Sequence, residues 1–438
     1  MRITVIGCGY LGAVHAACMA ELGHEVVGID IDRAKIEALS AGRAPFFEPG
    51  LPEMLASAAA TGRLRFTTDF AEAADAEAHF VAVGTPQKKG ENAADMTYVD
   101  AAIASLAPQL KPGVLVIGKS TVPVGTARRL AGLVKAAQPT ADLAWNPEFL
   151  REGYAVEDTL RPDRIVYGLP DDEAAAQRAK QILDTVYAVA LGNDTPLVTT
   201  GYETAELVKV SANAFLATKI SFINAIAEVA DVTGADVTKI ADAIGYDARI
   251  GRRFLNAGLG FGGGCLPKDI RAFQARAGEL GADQALTFLR EVDAINMRRR
   301  SRAVDLTREI LDGSLLGKKV AVLGLAFKPE SDDIRDSPSL DVAAQLRAQG
   351  ARVVAYDPQA VENARRQHPE LDFADSAEET AADADAVVLL TEWRQFRELD
   401  PVAFGEHVGA KNILDGRNCL DPATWRAAGW RYRALGRP

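Results

Sequence analysis

The sequence predicts an α/β fold with two Rossmann-like, doubly wound domains joined by helices. Short apolar runs alternate with alanine-rich helical stretches up to about Asp194, which is typical of a parallel sheet covered by helices. A helical pattern then continues from Thr200, and the apolar run Lys318–Gly324 begins a second α/β unit. We therefore predict a first domain over residues 1–199, a central helical domain over 200–312 and a second Rossmann-like domain over 313–438.

The first element pair contains a glycine fingerprint. The apolar strand Arg2–Ile6 runs into Gly7, Gly9 and Gly12 with the spacing G-x-G-x-x-G, and a helical stretch follows over Ala13–Leu22. Backbone N–H groups at such a helix start bind a pyrophosphate. The alternative is a glycine-rich βα turn without a ligand.

An acid follows the second predicted strand at the position expected for a dinucleotide site. The apolar run Glu25–Ile29 ends in Asp30, 18 residues after Gly12. A carboxylate there bonds the adenosine ribose hydroxyls. NAD is favoured over NADP because Asp30 would repel a 2′-phosphate. Arg33 lies nearby in the sequence, so NADP is not excluded as the cofactor.

Further runs complete the predicted layout. Ala78–Val83 and Val114–Ile117 are predicted as buried parallel strands, and Arg164–Tyr167 as the last strand of the first domain. Long helices are predicted over Glu203–Gly234 and Gln284–Leu311.

The second α/β unit repeats part of the first. Gly350–Asp357 resembles Gly23–Asp30, but Gly324–Lys328 replaces the glycine fingerprint. This second half is therefore expected to bind a ligand other than a dinucleotide.

Composition excludes several classes of protein. The 438 residues include 49 Lys and Arg against 60 Asp and Glu, for a net charge of −11, so no nucleic-acid groove is expected. The one basic run, Arg298–Arg302, is predicted to form the solvated face of a long helix. No apolar window long enough for a bilayer is expected and no signal peptide precedes the first strand, so we predict a cytoplasmic protein without a membrane partner.

The cysteines also limit the chemistry. Cys8, Cys18, Cys265 and Cys419 are widely separated and form no C-x-x-C pair, which argues against a disulfide framework and a zinc site. No metal is predicted. Cys265 ends the glycine-rich run Gly260–Gly264, and Lys268 and Asp269 follow it, so covalent catalysis by a thiolate is one interpretation. A buried, inert cysteine is the other.

Polar residues follow two more apolar segments of the first domain. Thr121 comes after a strand, where open α/β sheets bind ligands, although it could instead cap the next helix. Glu148 and Glu152 are four residues apart, a spacing that on a helix would place both on one face for acid–base work or as solvated charges.

Two later clusters are further candidates. Lys209 and Asn213 are embedded in an apolar stretch, where a half-buried lysine needs a partner. Lys328 and the charged residues of 332–336 crowd the loop after the first strand of the second unit, where cations could meet phosphate.

These motifs together resemble the nucleotide-sugar dehydrogenases of the UDP-glucose/GDP-mannose dehydrogenase family. The resemblance covers Met1 to about Asn418 and rests on Gly7–Gly12, Ser120–Thr126, Asn146–Gly153, Phe261–Cys265, Gly324–Pro329 and Asp332–Pro338. Gly264 stands where many relatives carry serine, and Leu266 often has an aromatic counterpart. Neither difference removes a side chain that the chemistry needs.

The resemblance implies oxidation of UDP-glucose to UDP-glucuronate with reduction of two NAD+, through a thiohemiacetal and a thioester on Cys265. It assigns the chemistry to Cys265, Lys209, Asn213, Asp269, Thr121 and Glu148. Lys209 and Asn213 would stabilise the oxyanion, Asp269 and Thr121 would hold the water, and Glu148 would assist hydrolysis as a base.

It assigns the cofactor to Gly7, Gly9, Tyr10, Leu11, Gly12, Asp30, Lys35, Thr85, Thr121, Glu152, Cys265, Lys268 and Arg335. It assigns the substrate to Glu148, Phe149, Leu150, Arg151, Glu152, Lys209, Asn213, Arg249, Phe254, Leu255, Phe261, Gly262, Phe327, Lys328 and Arg417. It also implies a homodimer through the central helices, with Arg249 reaching the neighbouring site.

Alternatives remain at this stage. A sister enzyme acting on GDP-mannose or UDP-N-acetylmannosamine would keep the same cysteine, lysine and NAD motifs. A non-catalytic NAD-binding sensor would be expected to lose the thiol or its partners. A single-oxidation hydroxyacid dehydrogenase is disfavoured because every histidine lies outside the motifs: His15, His24, His79, His368 and His407.

Overall fold

The computed structural model describes residues 1–437, and the chain divides into two compact units. Unit 1 comprises residues 1–212 and 271–281. Unit 2 comprises residues 213–270 and the chain from 282 onward. The boundaries at 212/213 and 270/271 fall within helices, and the boundary at 281/282 follows a turn.

Unit 1 is built on a sheet that has eight strands among the described residues. They are β1 (Arg2–Ile6), β2 (Glu25–Ile29), β3 (Leu64–Thr67), β4 (Ala78–Val81), β5 (Leu115–Gly118), β6 (Asp142–Trp145), β7 (Ile165–Leu169) and β8 (Leu197–Gly201). Their spatial order is β3-β2-β1-β4-β5-β6-β7-β8, and all neighbours are parallel except β6 and β7. The first six strands have the Rossmann order 3-2-1-4-5-6.

Helices pack on this sheet because each buries an apolar side. They are α1 (Tyr10–Glu21), α2 (Arg33–Ser40), α3 (Leu51–Ala60), α4 (Thr97–Leu106), α5 (Thr126–Ala137), α6 (Ala155–Leu160), α7 (Glu173–Val186) and α8 (Ala188–Gly192). Small side chains let α1 bury nine of its twelve residues, which brings its first turn close to the end of β1.

Unit 2 contains a second sheet, entirely parallel in the described part of the chain. Its strands are β9 (Lys319–Leu323), β10 (Arg352–Tyr356), β11 (Asp372–Phe373), β12 (Ala386–Leu389), β13 (Asn412–Asp415) and β14 (Arg431–Ala434). Their order, β11-β10-β9-β12-β13-β14, repeats the Rossmann order. The predicted fold class, with two doubly wound sheets and helices between them in sequence, is confirmed.

The remaining helices include the long ones. They are α9 (Tyr202–Thr233), α10 (Val237–Gly245), α11 (Leu266–Glu279), α12 (Phe288–Ile310), α13 (Pro338–Ala348), α14 (Val361–Gln367), α15 (Ala377–Ala381), α16 (Arg394–Arg397), α17 (Pro401–Phe404) and α18 (Pro422–Ala427). The predicted long helices correspond to α9 and α12.

Two expectations about these elements are wrong. The strand predicted to be the last of the first domain is β7, but β8 follows and pairs with it. Val198 and Thr199 of β8 are exposed at the sheet edge, so this strand lacks the continuous apolar run of a central strand. Within the basic run, Arg299 and Arg300 are only 0% and 3% exposed, so they do not form a solvated face.

The expectation about bilayer-length segments also differs from the structure. Helix α9 is 32 residues long and contains an 18-residue window of mean hydropathy 1.3, of which 44% is buried. Length and composition alone would let such a helix cross a membrane. The core helix of a globular protein passes the same test.

Candidate active site

The glycine fingerprint forms the turn between β1 and α1. A Cβ on Gly12 would lie 1.8 Å from the carbonyl oxygen of Gly7, so only glycine allows the helix this close to the strand. At Gly9, the N-cap, a Cβ would meet no atom within 4 Å, and no described side chain caps the helix. The backbone N–H groups of this turn therefore fit a pyrophosphate.

Asp30 lies directly after β2 and is 8% exposed. Its carboxylate accepts hydrogen bonds from the backbone N–H groups of Cys8 (2.8 Å) and Asp32 (3.0 Å) and from Lys35 Nζ (2.9 Å). Asp30, the acid predicted to bind ribose, is thus fixed at the carboxyl end of the strand. It lies beside Lys35, which the family resemblance also assigned to the cofactor. Together they offer an acceptor and a donor to a diol.

Thr121 follows β5, as predicted for a ligand-binding position. Its carbonyl oxygen accepts a hydrogen bond from Thr85 Oγ1 at 2.7 Å, so these two candidates lie together. The alternative that Thr121 caps the next helix is wrong, because the N-cap of α5 is Gly125.

Glu148 and Lys209 form an ion pair within unit 1. Lys209 Nζ lies 3.0 Å from Glu148 Oε1, and their side chains are 7% and 14% exposed. Glu148 Oε2 also accepts from the backbone N–H of Leu150 at 2.8 Å. The predicted partner for the half-buried lysine is therefore a carboxylate that was itself a candidate base.

The segment carrying Glu148 and Glu152 is not helical, so the two carboxylates do not share a helix face. The Tyr10 hydroxyl donates to the buried carboxylate of Glu48. The same carboxylate accepts from Gly153 N (2.6 Å) and Ala155 N (2.7 Å). These bonds fix the turn just after Glu152, and sequence reasoning did not find Glu48.

Lys119 is a second buried lysine that sequence reasoning missed. It is 6% exposed, and Nζ donates to Asn146 Oδ1 (2.9 Å) and to the Tyr187 hydroxyl (3.1 Å). Burial lowers the pKa of Lys119 to about 8, while Glu148 opposes this shift. Lys119, Asn146 and Glu148 line one cleft of unit 1. The available signal was a lysine immediately after an apolar strand.

Replacing Lys119 with methionine tests this burial through stability. The folded chain binds the Lys119 proton less tightly than the unfolded chain, whose pKa is near 10.5, so wild-type stability gains as pH rises from about 8 to 10.5. We expect the free energy of unfolding of the wild type, relative to Lys119→Met, to increase by about 3 kcal/mol over this interval. Denaturant unfolding at several pH values measures it, and parallel curves would contradict it.

Cys265 lies in unit 2 immediately before α11 and is exposed, so the interpretation as a buried, inert cysteine is wrong. Its carbonyl accepts from the backbone N–H of Asp269 at 3.0 Å. The positive end of a helix dipole stabilises a thiolate at such a position. By contrast, Cys8 and Cys18 are buried.

Three of the residues assigned to the site, Asn213, Lys268 and Asp269, form a cluster within unit 2. Asn213 Nδ2 donates to Asp269 Oδ2 at 2.6 Å, and Lys268 Nζ lies 2.5 Å from Asp269 Oδ1. Asn213 and Asp269 are 7% and 3% exposed. The Asp269 carboxylate thus has one neutral and one cationic donor, an arrangement that fixes its orientation.

The second Rossmann-like sheet uses its strand-end acid differently from Asp30. Asp357 accepts from Leu325 N (2.7 Å), Ala326 N (3.0 Å) and Trp393 Nε1 (3.0 Å) and is 2% exposed. Its oxygens are occupied by the turn and the indole.

Arg417, a predicted substrate contact, lies across the loop before Cys265. It donates to the carbonyl oxygens of Leu390 (2.6 Å), Gly260 (3.0 Å) and Phe327 (3.3 Å). Arg417 thereby connects the glycine-rich loop with the Phe327 segment, where Lys328 Nζ lies 5.8 Å from the Phe327 ring centroid.

The other predicted site residues differ in exposure. Leu255, Phe261 and Gly262 are buried, Leu150 and Glu152 are half-buried, and Arg151 pairs with Asp158 at 2.6 Å. The Arg164 guanidinium lies over the Phe149 ring, with its Cζ 3.8 Å from the ring centroid.

Three other candidates lie at the surface. Arg335 pairs with Asp333 at 2.7 Å. Phe254 is 38% exposed. Arg249 is 90% exposed and pairs with Asp247, so within the described chain it joins none of the clusters above.

The Rossmann sheet, the glycine turn and Asp30 define an NAD-dependent dehydrogenase. The chain belongs to the UDP-glucose/GDP-mannose dehydrogenase family. Its residues 1–190 match the family's NAD binding domain, residues 203–298 its central domain and residues 321–422 its UDP binding domain. NAD is the cofactor, as predicted.

Several characterised proteins are similar over the whole chain. The UDP-glucose 6-dehydrogenase of Rhizobium meliloti is 44% identical, with 100% of both chains covered. The solved UDP-glucose dehydrogenase of Pyrobaculum islandicum has a TM-score of 0.89 and 39% identity, covering 99% of this chain and 97% of that one. A UDP-D-ManNAc dehydrogenase from Pyrococcus horikoshii has a TM-score of 0.86 and 28% identity, covering 100% and 99%.

Proposed function

We propose that this protein oxidises UDP-glucose to UDP-glucuronate and reduces two NAD+ for each sugar. The observation that carries the proposal is the exposed thiol of Cys265 just before α11, with Asp269 in the first turn of that helix bonded to the buried Asn213. A nucleophilic thiol is what distinguishes a four-electron oxidation from a single alcohol oxidation, because it retains the aldehyde between the two steps.

In the proposed chemistry the Gly7–Gly12 turn and Asp30 would hold NAD+, which would supply the hydride acceptor for each oxidation. The Cys265 thiolate adds to the aldehyde carbon, and the resulting thiohemiacetal is oxidised to a thioester. Water then cleaves the C–S bond, which returns the thiol and gives the carboxylate. One alcohol, two NAD+ and one water thus yield one carboxylate, two NADH and three protons.

Lys209 and Asn213 are proposed to stabilise the oxyanion that forms when sulfur or water adds to the carbonyl carbon. The Nζ of Lys209 carries a positive charge in a largely buried position, where charge stabilisation is stronger than in water. Asn213 adds an amide donor whose orientation is set by its bond to Asp269.

Water activation is assigned to Glu148, Thr121 and Asp269. Glu148 is suited to the role of base because Lys209 and the Leu150 N–H fix the orientation of its carboxylate. Asp269, held by Lys268, is proposed as a hydrogen-bond acceptor for water.

We propose that the UDP moiety contacts the second Rossmann-like unit through Phe327, Lys328 and Arg417. The match of residues 321–422 to a UDP binding domain supports this assignment. So does Asp357, whose contacts leave that unit without a ribose acceptor of the Asp30 kind.

UDP-glucose is favoured over other sugars by the comparisons. The relatives named for UDP-glucose are 39% and 44% identical, whereas the one named for UDP-D-ManNAc is 28% identical. Related enzymes for different nucleotide sugars are expected to differ in the residues around the sugar. Oxidation of another nucleotide sugar, such as UDP-N-acetylmannosamine, is therefore the second candidate function.

Absorbance of NADH with a panel of nucleotide sugars tests the proposal. UDP-glucose is expected to give two NADH per sugar and a uronic acid product. Faster turnover of GDP-mannose or UDP-N-acetylmannosamine would overturn the substrate assignment. One NADH per sugar would overturn the four-electron mechanism.

We also propose a cytoplasmic homodimer formed through α9, with the three domains bounded at residues 199 and 312. Phe215, Phe222 and Val229 recur every seven residues on α9 and are each more than half exposed, an apolar stripe that a second copy would bury. Arg249 is exposed and available to a partner. Light scattering is expected to give twice the chain mass of 46.7 kDa.

A further inference from the structure

A buried polar face of α12 lies against the loop that precedes Cys265. Asn296, Arg299 and Arg300 are 0%, 0% and 3% exposed and occupy positions i, i+3 and i+4, which share one side of a helix. Burying two guanidinium groups is costly unless they make specific contacts. Their contacts include residues 258–263 and the turn that follows β9, together with Asp341 of α13 and Glu228 of α9.

Asn296 binds the loop backbone through both ends of its amide. Its Oδ1 accepts from Phe261 N at 2.7 Å, and its Nδ2 donates to Phe261 O at 2.9 Å. A Cβ on Gly260 would lie 2.1 Å from Asn296 Oδ1, so glycine at 260 is what permits this approach. A loop without regular structure needs such partners for its buried backbone groups.

Arg299 contributes the next bond along the loop. Its Nε donates to Gly258 O at 3.2 Å, while Asn224 Oδ1 accepts from Gly258 N at 2.9 Å. Gly258 is therefore held on both sides, by α12 and by α9.

Arg300 binds the segment on the other side of the loop, through Asp336 and Asp341. Its two Nη atoms lie 2.8 Å from Asp336 Oδ1 and 3.2 Å from Asp341 Oδ2. The neighbouring Arg335 carbonyl accepts from Gly263 N at 2.9 Å. The loop thus lies between α12 and a turn that α12 itself positions.

We propose that Asn296, Arg299 and Arg300 are positioning residues that fix the 258–263 loop and through it the direction of the Cys265 sulfur. Cys265 follows the last of these bonds by two residues, and two residues of chain reach about 7 Å at most. The inference rests on the proposed function only for its effect on turnover, because the geometry of the thiol is measurable without substrate.

The test compares Asn296→Ala and the milder Asn296→Ser with Thr307→Val. Thr307 is equally buried on the same helix, but its hydroxyl bonds to Ala303 O within α12. The readouts are the melting temperature, NAD affinity, kcat and KM for UDP-glucose, and the rate of iodoacetamide alkylation of Cys265. Mass spectrometry of the Cys265 peptide over pH 6 to 9 separates this thiol from the other three.

Both Asn296 variants are expected to lower kcat by about 10²-fold and to change the Cys265 alkylation rate by about tenfold, with NAD affinity unchanged. Thr307→Val is expected to leave the alkylation rate at the wild-type value. An alkylation rate that is unchanged in the Asn296 variants, or equally changed in Thr307→Val, would overturn the positioning role. If the wild type does not oxidise UDP-glucose while alkylation still responds to Asn296, the proposed function fails and the positioning role stands.

Discussion

Cys265→Ser is expected to lower turnover of UDP-glucose by about 10³-fold or more, because a hydroxyl is a far weaker nucleophile than a thiolate at neutral pH. Any ester formed on serine would also hydrolyse more slowly than a thioester, so a sugar adduct is expected to accumulate. Steady-state NADH absorbance measures the rate, and mass spectrometry of the protein after incubation with UDP-glucose and NAD+ detects the adduct.

The control for this change is Cys419→Ser. Burial raises the pKa of the Cys419 thiol, so this cysteine stays protonated and unreactive. We expect Cys419→Ser to keep wild-type turnover and Cys265→Ser to keep wild-type NAD affinity. Near wild-type formation of UDP-glucuronate by Cys265→Ser would rule out the covalent mechanism.

The cofactor half of the fold was predictable because its signals are local. Gly7, Gly9 and Gly12 and the acid at Asp30 are fixed by contacts between consecutive elements, which a fixed spacing in the sequence reveals. The order of β1, β2 and their helix follows from the same spacing.

Contacts between distant parts of the chain were not predictable in this way. Arg299 and Arg300 appeared to be solvated because a run of like charges usually faces water. Their partners, Gly258 and Asp336, are 41 and 36 residues away. Glu48 is similarly joined to Gly153 over 105 residues. No periodicity in the sequence encodes these pairings.

Local context also misled in the 146–153 segment. A four-residue spacing suggested that Glu148 and Glu152 share a helix face, but Pro147 disfavours helix at Asn146 and removes a backbone donor, and Gly153 has a positive φ of 79°. The segment is an extended loop in which Glu148 turns toward Lys209. The pairing of the candidate base with the candidate oxyanion lysine emerged only from the structure.

Lys209→Met is expected to lower kcat by about 10² to 10³-fold with a smaller change in KM, because a charge that acts on a developing oxyanion stabilises the transition state more than the ground state. The variant also removes the cation 3.0 Å from Glu148 Oε1. The Glu148 carboxylate then loses the partner that fixes its orientation, so part of the loss in kcat is expected to come from Glu148.

The comparison set is Lys180→Met, Glu148→Gln and the double variant Lys209→Met/Glu148→Gln. Lys180 is a half-buried lysine paired with Asp184, away from the residues assigned to the site, and its loss is expected to leave kcat unchanged. Because Lys209 and Glu148 are in contact, their effects on kcat are expected to be less than additive in the double variant. A Lys209→Met enzyme with wild-type kcat would remove Lys209 from the oxyanion role, and fully additive effects in the double variant would separate that role from its contact with Glu148.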